Sequence, residues 1–363
     1  MTIFVKIFKK IFNAPVVNKN ITRVILFAFL FNIIFGILFY YAEKDVQTDM
    51  TMLDAIWWAM VTMTTVGYGD FFAKTFIGRF LISYPCMLLG IGIIGYLVGN
   101  VAESILDHAS KKKKGLLGIT MNDHIIICNF PGESKILRLQ EEIQRANVYK
   151  DSTIVIITDE IDELPQSLVE NKIRFVKGDP VREEVLMKAN ILECAGVFIL
   201  AENIEDASSD TKTFAIGTQI EMIERESGHP IKVVVELVSR DNHKMMLRSK
   251  VDSIVTSDGI MDVLIAQEFL YPGLNDVFHE ILSNASGSQF YILENKFAGF
   301  TFSDIQKKAL DHKTNIQVVG FNRKGNSFVN PDKNTKLETD DKLIVLANSR
   351  ADYENFETSM GNP

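Results

Sequence analysis

Two stretches of the chain carry no charge. Residues 24–41 read VILFAFLFNIIFGILFYY, with Asn32 their one polar side chain, and residues 80–98 read FLISYPCMLLGIGIIGYLV. Each is about as long as an α-helix must be to cross the hydrocarbon core of a bilayer. The pattern predicts two membrane spans in tandem. A signal peptide does not fit, because a second span follows and no small-residue cleavage site is evident. Between them MLDAIWWAMVTM (52–63) is apolar but too short to cross, which predicts a re-entrant helix. The irregular backbone at its end is tolerated at membrane depth only where protein or water covers it. Upstream, TIFVKIFKKIF (2–12) sets Ile3, Phe4, Ile7, Phe8 and Ile11 on one stripe opposite Lys6, Lys9 and Lys10. That suits a helix within residues 1–20 lying in the inner membrane interface, with a transit peptide as the alternative.

Beyond DHASKKKKGLLGITMND (107–123) the pattern changes. Short apolar runs, HIIICNF (124–130), STIVIITDE (152–160), IRFVKGDP (173–180), GVFILAE (196–202) and IKVVVELVS (231–239), alternate with helical periodicity at 133–145, within 163–171, at 182–190 and at 208–227. Strand and helix alternating at this spacing predict a doubly wound, Rossmann-like parallel sheet.

Charge orients the first part. Lys6, Lys9, Lys10, Lys19 and Arg23 precede the first span, and Lys111, Lys112, Lys113 and Lys114 follow the second. The connecting segment 42–76 holds Glu43, Asp45, Asp49, Asp54 and Asp70 against Lys44 and Lys74. Basic residues stay on the cytoplasmic side, so both termini are expected there, in a multi-pass protein of the cell membrane. The net charge of −8 over 363 residues gives no sign of nucleic-acid binding. Cys86, Cys128 and Cys194 have neither metal-ligand spacing nor a disulfide framework, and read as core thiols in a reducing compartment. The lysine-rich stretch around 108–121 reads as a tether near an anionic leaflet, or simply a solvated linker.

The chemistry concentrates in TMTTVGYGD (62–70). A dehydrated cation needs a shell of oxygens, and a backbone whose carbonyls point one way supplies it. Gly67 and Gly69 permit the unusual dihedrals involved. The Thr65 hydroxyl adds a last oxygen at the inner mouth, Val66 and Tyr68 turn away from the axis, Trp57 and Trp58 pack around them, and Asp70 stands at the outer mouth. This stretch resembles the potassium-channel signature TxTTVGYGD. The resemblance implies a selectivity filter of Thr65, Val66, Gly67, Tyr68 and Gly69, with potassium ions held between carbonyl rings of a homotetramer. It also implies a hinge glycine in the second span, where LLGIG makes Gly90 the match, while Gly95 and Gly99 have the spacing of close helix packing. Glu103 is expected either as an inner-mouth carboxylate or as part of a solvated helix end.

The second part, with Gly178-Asp179-Pro180 after a strand and Lys188-Ala189-Asn190 after a helix, resembles the RCK domain, the regulator of potassium conductance. Together the two resemblances point to a prokaryotic ligand-gated two-span potassium channel of the calcium-gated type. The fold expected is a membrane α-helical pore joined to a cytoplasmic α/β Rossmann-like RCK domain with a small α+β C-terminal lobe. Its parts would be the pore (21–107), linker (108–121), N-lobe (122–245), a swapping helical crossover (246–286), C-lobe (287–350) and tail (351–363). In the C-lobe FYILEN, NIQVVGFNR and KLIVLA are expected strands, and 330–347 a closing hairpin.

The ligand is less legible. A dinucleotide site wants G-x-G-x-x-G after the first strand. Here Asn129-Phe130-Pro131-Gly132-Glu133-Ser134 stands there; Pro131 lacks an amide donor and Glu133 repels phosphate, so NAD is not expected, although Asp159 or Glu160 could hold a ribose. Without hydride-transfer apparatus, an enzyme is not expected either; the rivals are a potassium channel whose RCK domain serves only assembly or is gated by a nucleotide, and, least expected, a membrane-tethered nucleotide-dependent Rossmann enzyme. The resemblance implies calcium at carboxylates, of which Asp210 and Glu236 match two positions and Val238 replaces a third. No charged voltage-sensor helix precedes the pore. Met121, just before the first strand, would permit soluble RCK copies by internal initiation.

Overall fold

The structure, a computed structural model, describes residues 19–283 and 287–360. The interfacial helix expected within 1–20 lies outside them, save for residues 19 and 20, which open the first long helix. The chain divides into two compact units, residues 1–112 and 113–363.

In the first unit α1 spans Lys19–Glu43 and α2 Met52–Met63; a π-helical stretch, Ile77–Ser83, runs into α3, Tyr84–Lys113. Arg23–Glu43 and Ile77–Lys113 are long and apolar enough to cross a membrane. The short helix α2 begins at a capping box, in which Thr51 accepts from the Asp54 amide and Asp54 accepts from the Thr51 amide. It packs on α1 through Phe39 and Trp58, stacked at 3.5 Å. Gly36 makes room for this, since a β-carbon there would lie 2.7 Å from Ile56. Trp58 is therefore a bracket to the first span, while Trp57 packs beside the expected filter through Tyr68. Leu26, Phe29 and Leu88 stay exposed, as suits a lipid-facing surface.

The second unit opens with a six-stranded parallel sheet, β1 His124–Cys128, β2 Ile154–Thr158, β3 Arg174–Lys177, β4 Cys194–Ile199, β5 Val233–Leu237 and β6 Ser253–Thr256, in the order 3-2-1-4-5-6. Strand alternation splits its core in two. Ile126, Cys128, Val155 and Ile157 face one side; Ile125, Ile127, Ile154 and Ile156 face the other. The helices between strands are α4 Glu133–Arg145, α5 Gln166–Glu170, α6 Glu183–Lys188, α7 Ser209–Ser227 and α8 His243–Met246. The sixth strand falls in the stretch expected as crossover. Four residues with alternate exposed positions leave too weak a period to read, and pairing with β5 makes the strand.

The expected helix–turn–helix follows, as α9 Ile260–Leu270 and α10 Leu274–Leu282, with the Glu268 carboxylate capping the turn through the Gly273 and Asn275 amides. The C-lobe sheet contains β7 Gln289–Glu294, β8 Ile316–Arg323, β9 Asn326–Val329 and β10 Lys342–Ala347, in the order 7-10-8-9, with α11 Phe302–Leu310 between β7 and β8. Two expectations change here. The hairpin is β8–β9, and β10 runs between β7 and β8 instead of closing a hairpin of its own. The expected tail is a helix, α12 Arg350–Met360, because Tyr353 and Phe356 bury their rings in the C-lobe core. The cysteines are free; burial pushes the Cys194 thiol up to about 11, so it is no ready nucleophile.

Candidate functional site

The re-entrant helix ends at Thr64, and the chain turns back on it. The Val66 and Gly67 amides donate to the Val61 carbonyl at 3.0 and 3.3 Å, and the Thr64 hydroxyl donates to Met60 at 2.7 Å. Beyond that, alternate residues take left-handed dihedrals: φ is 59° at Thr65, 59° at Gly67 and 77° at Gly69. Such alternation can bring successive carbonyls toward one side of a strand, as a cation-lining backbone requires. A β-carbon at Gly67 or Gly69 would meet nothing within 4 Å, so these glycines answer a dihedral demand and not a spatial one. Thr65 takes the same dihedral at a cost, which the sequence did not disclose.

Two contacts brace the outer end. The Trp57 ring lies parallel to Tyr68 with centroids 6.0 Å apart, and its Nε1 donates to Asp70 Oδ2 at 2.9 Å. Asp70 Oδ1 accepts from the Phe71 amide. A further anchor escaped the sequence reading. Glu43, fully buried at the end of α1, accepts from the Lys74 and Thr75 amides at 3.0 and 2.9 Å, from the Thr75 hydroxyl at 2.8 Å and from Gln47 Nε2 at 3.3 Å. Gly78 fits beside it only because it lacks a β-carbon. One acidic residue among several in 42–76 gave no signal of this.

Gly90 is buried in α3, and a β-carbon there would lie 2.4 Å from the Met63 carbonyl oxygen. Its first requirement is thus close packing on the end of α2. Gly92, Gly95 and Gly99 have open space around them. Glu103 is exposed on the same helix.

In the second unit the strand order reverses between β1 and β4, where open α/β sheets place their ligands. At that edge Asn129, fully buried with φ 72°, donates to the Leu200 carbonyl at 2.8 Å while its Oδ1 has no partner. Lys212 lies 2.8 Å from Glu202 and 3.4 Å from Asp159. Burial opposes its charge, and the two carboxylates outweigh burial, so its pKa is raised. Glu160 donates its amide to Thr158. Neither expected metal ligand is free. Asp210, 1% exposed, accepts from the Val238 and Ser239 amides and from Asn242 Nδ2 at 2.8, 3.1 and 2.7 Å. Glu236 accepts from Lys135 Nζ at 2.6 Å and from the Ala201 amide at 3.0 Å. Glu236 is thus already paired with an ammonium. Among the described residues no group of three His, Cys, Asp or Glu side chains is placed to hold a metal. A hard cation wants six or more oxygens, so this pair does not fit calcium.

Residues 26–107 match the ion channel family, residues 120–245 the slowpoke-like RCK domain of calcium-activated potassium channels, and residues 258–360 a part of the Castor and Pollux voltage-gated ion channels. The chain is similar to the calcium-gated potassium channel TvoK of Thermoplasma volcanium, 24% identical over 96% of this chain and 97% of that one. It is also similar to probable potassium channel protein 2 of Methanocaldococcus jannaschii, 26% identical over 86% of each. The human SLO3 gating ring resembles it in fold alone, over 64% of this chain and 45% of that one, at TM-score 0.50 and 14% identity.

Proposed function

We propose that the chain is a potassium channel in which a two-helix pore is joined to an RCK domain, and that four copies surround one potassium-selective pore whose gate answers a cytoplasmic ligand. The observation that carries the selectivity reading is the alternation of left-handed dihedrals at Thr65, Gly67 and Gly69, anchored to Val61. One chain contributes one such strand; a ring of carbonyls around an ion needs four. The distribution of lysine and arginine supports a cytoplasmic placement of both termini.

The gate is proposed on α3. At Gly90 the helix meets the end of α2, and past it Gly92, Gly95 and Gly99 leave room to move, which makes Gly90 the pivot. The RCK domains pair into a ring. In support, α9 carries apolar residues on all sides, with Phe269 85% exposed, while the sheet face bearing Phe198, Leu200, Val234 and Val255 stands open as a groove of about 540 Å³. A crossover exchanged between copies would cover both. The ligand shifts the gate only by its difference in affinity for the two states of the ring.

Bilayer recording tests both halves. In opposed potassium and sodium gradients the reversal potential should follow potassium; a reversal potential that follows sodium equally defeats the selectivity reading. Calcium, the ion that gates TvoK, and NAD should each be stepped on the cytoplasmic side. Open probability unmoved by either would favour an RCK domain that serves assembly alone. The relatives named are channels, which supports the channel reading over an enzymatic one.

A further inference from the structure

The segment joining pore and RCK domain reads as a lysine-rich tether, and a flexible linker of its length would have a root-mean-square span of about 20 Å. Such slack would absorb a lobe displacement of a few ångströms. The segment is not built that way. The helix α3 runs to Lys113, and that residue is itself hydrogen-bonded to the lobe: the Leu164 amide donates to the Lys113 carbonyl at 2.9 Å, and Glu163 lies 3.2 and 3.8 Å from the ammonium groups of Lys113 and Lys114. The Gly115 carbonyl accepts from the Lys177 amide at the end of β3 and from Lys188 Nζ of α6, both at 3.0 Å. The Ile119 amide donates to the Lys188 carbonyl at 2.9 Å and its side chain packs on the sheet core. Asn190 Nδ2 donates to the Met121 carbonyl at 3.0 Å.

Gly115 is the residue this arrangement depends on. It is buried with φ +65°, and a β-carbon there would lie 2.4 Å from the Lys177 amide nitrogen and 2.7 Å from the Phe175 ring. Both the dihedral and the space demand glycine, and the obstacle includes backbone, which cannot swing aside. We propose that residues 113–121 are a strap fastened to the β3–α6 corner of the RCK lobe by Gly115, and that this strap passes the lobe's movement to the second span without slack. Gly115 is then a positioning residue for the gate. The inference rests on the ligand-gating reading for its purpose, though not for its structure. It also bears on copies beginning at Met121: they would lack Gly115 and Ile119, and so would carry no strap.

The test uses the full-length channel in lipid. Leu116, 53% exposed, is changed to Cys and spin-labelled in a Cys194→Ser background, in which the two remaining native thiols, Cys86 and Cys128, are buried. The strap predicts a slow, ordered label, and Gly115→Ala should free it. Gly115→Ala should also abolish the calcium- or NAD-driven change in open probability while leaving the open-state potassium conductance unchanged. Lys188→Met, which removes one of the two bonds to the Gly115 carbonyl, should loosen the label partly, and it serves if Gly115→Ala does not assemble. A label already as mobile in the wild type as in an unstructured loop overturns the proposal. So does a Gly115→Ala channel with unaltered label motion and gating. If neither calcium nor NAD moves the wild type, ligand gating fails, and label motion with the basal open probability of Gly115→Ala still decides the strap.

Discussion

Glu43 and Thr75, 32 residues apart, are joined twice: one carboxylate oxygen accepts from the Thr75 amide at 2.9 Å and from its hydroxyl at 2.8 Å. The first span thereby holds the segment that carries the outer end of the proposed filter strand back into the second span. A buried carboxylate with several donors is held much more firmly than a surface one, because leaving those donors unpaired costs their full desolvation.

Glu43→Gln should therefore be costly although it is nearly isosteric. Its amide nitrogen is set against amide donors, and the loss is expected at about 1–3 kcal/mol per subunit. Tetramer dissociation on heating in detergent should occur at lower temperature, and the ratio of potassium to sodium permeability should fall. Glu43→Asp, one methylene shorter, should recover part of each. A channel with wild-type selectivity and heat resistance would show that the anchor is idle.

At the filter, Gly67→Ala sets a β-carbon in open space but in a left-handed backbone, which costs an ordinary residue about 1–2 kcal/mol. Summed over the proposed ring of four this is about 4–8 kcal/mol, enough to favour another backbone path. Potassium-selective current should be lost while α1, α2 and α3 still form, as followed by circular dichroism and tetramer yield. Retained selectivity would mean that the dihedral is not required.

Asp210 and Glu236 should behave as structural carboxylates. Asp210→Asn exchanges an oxygen that accepts two donors for an amide, and should lower the thermal stability of the RCK part of the channel by about 1–3 kcal/mol. Glu236→Gln weakens the pair with Lys135, which is partly exposed, so a loss of about 1 kcal/mol is expected after solvent screening. Neither change should remove a calcium response if the wild type has one. Loss of that response in both variants, with folding intact, would return calcium to this pair.

His124 supplies a pH dependence. Burial depresses its pKa below the ordinary 6.5, against the upward pull of the Ala189 and Met121 carbonyls and of Asp123. The unfolded chain therefore takes up the proton first. The contribution to stability is complete above pH 6.5 and is lost as pH falls below it toward the folded value. Thermal melts of the full-length channel should show the RCK transition dropping through this window, and His124→Gln should flatten that part of the profile. An equal acid slope in the variant would assign the loss to other groups.

Much of this was legible because it is local. The two uncharged runs, the short helix and the TTVGYG strand are contiguous, and the period of each run reports its own element. The helix over 133–145 has the bounds that its apolar spacing predicts. What escaped reading depended on partners distant in the chain. The stacking of Trp58 on Phe39 needed the first span; the four residues of β6 needed β5 to become a strand; α12 needed a C-lobe core to receive Tyr353 and Phe356.

The amino-acid sequence alone determined the two spans, the filter motif and the alternating α/β lobe, since hydrophobic period and glycine placement act over a few residues. Only the tertiary structure decided which polar groups are already spent. Asp210 and Glu236 look available in sequence, and folding commits them to Val238, Ser239, Asn242 and Lys135. The segment 113–121 looks loose, and folding bonds it to β3 and α6. A carboxylate's or a linker's freedom is set by the donors and backbone brought to it from elsewhere in the chain, which no local pattern records.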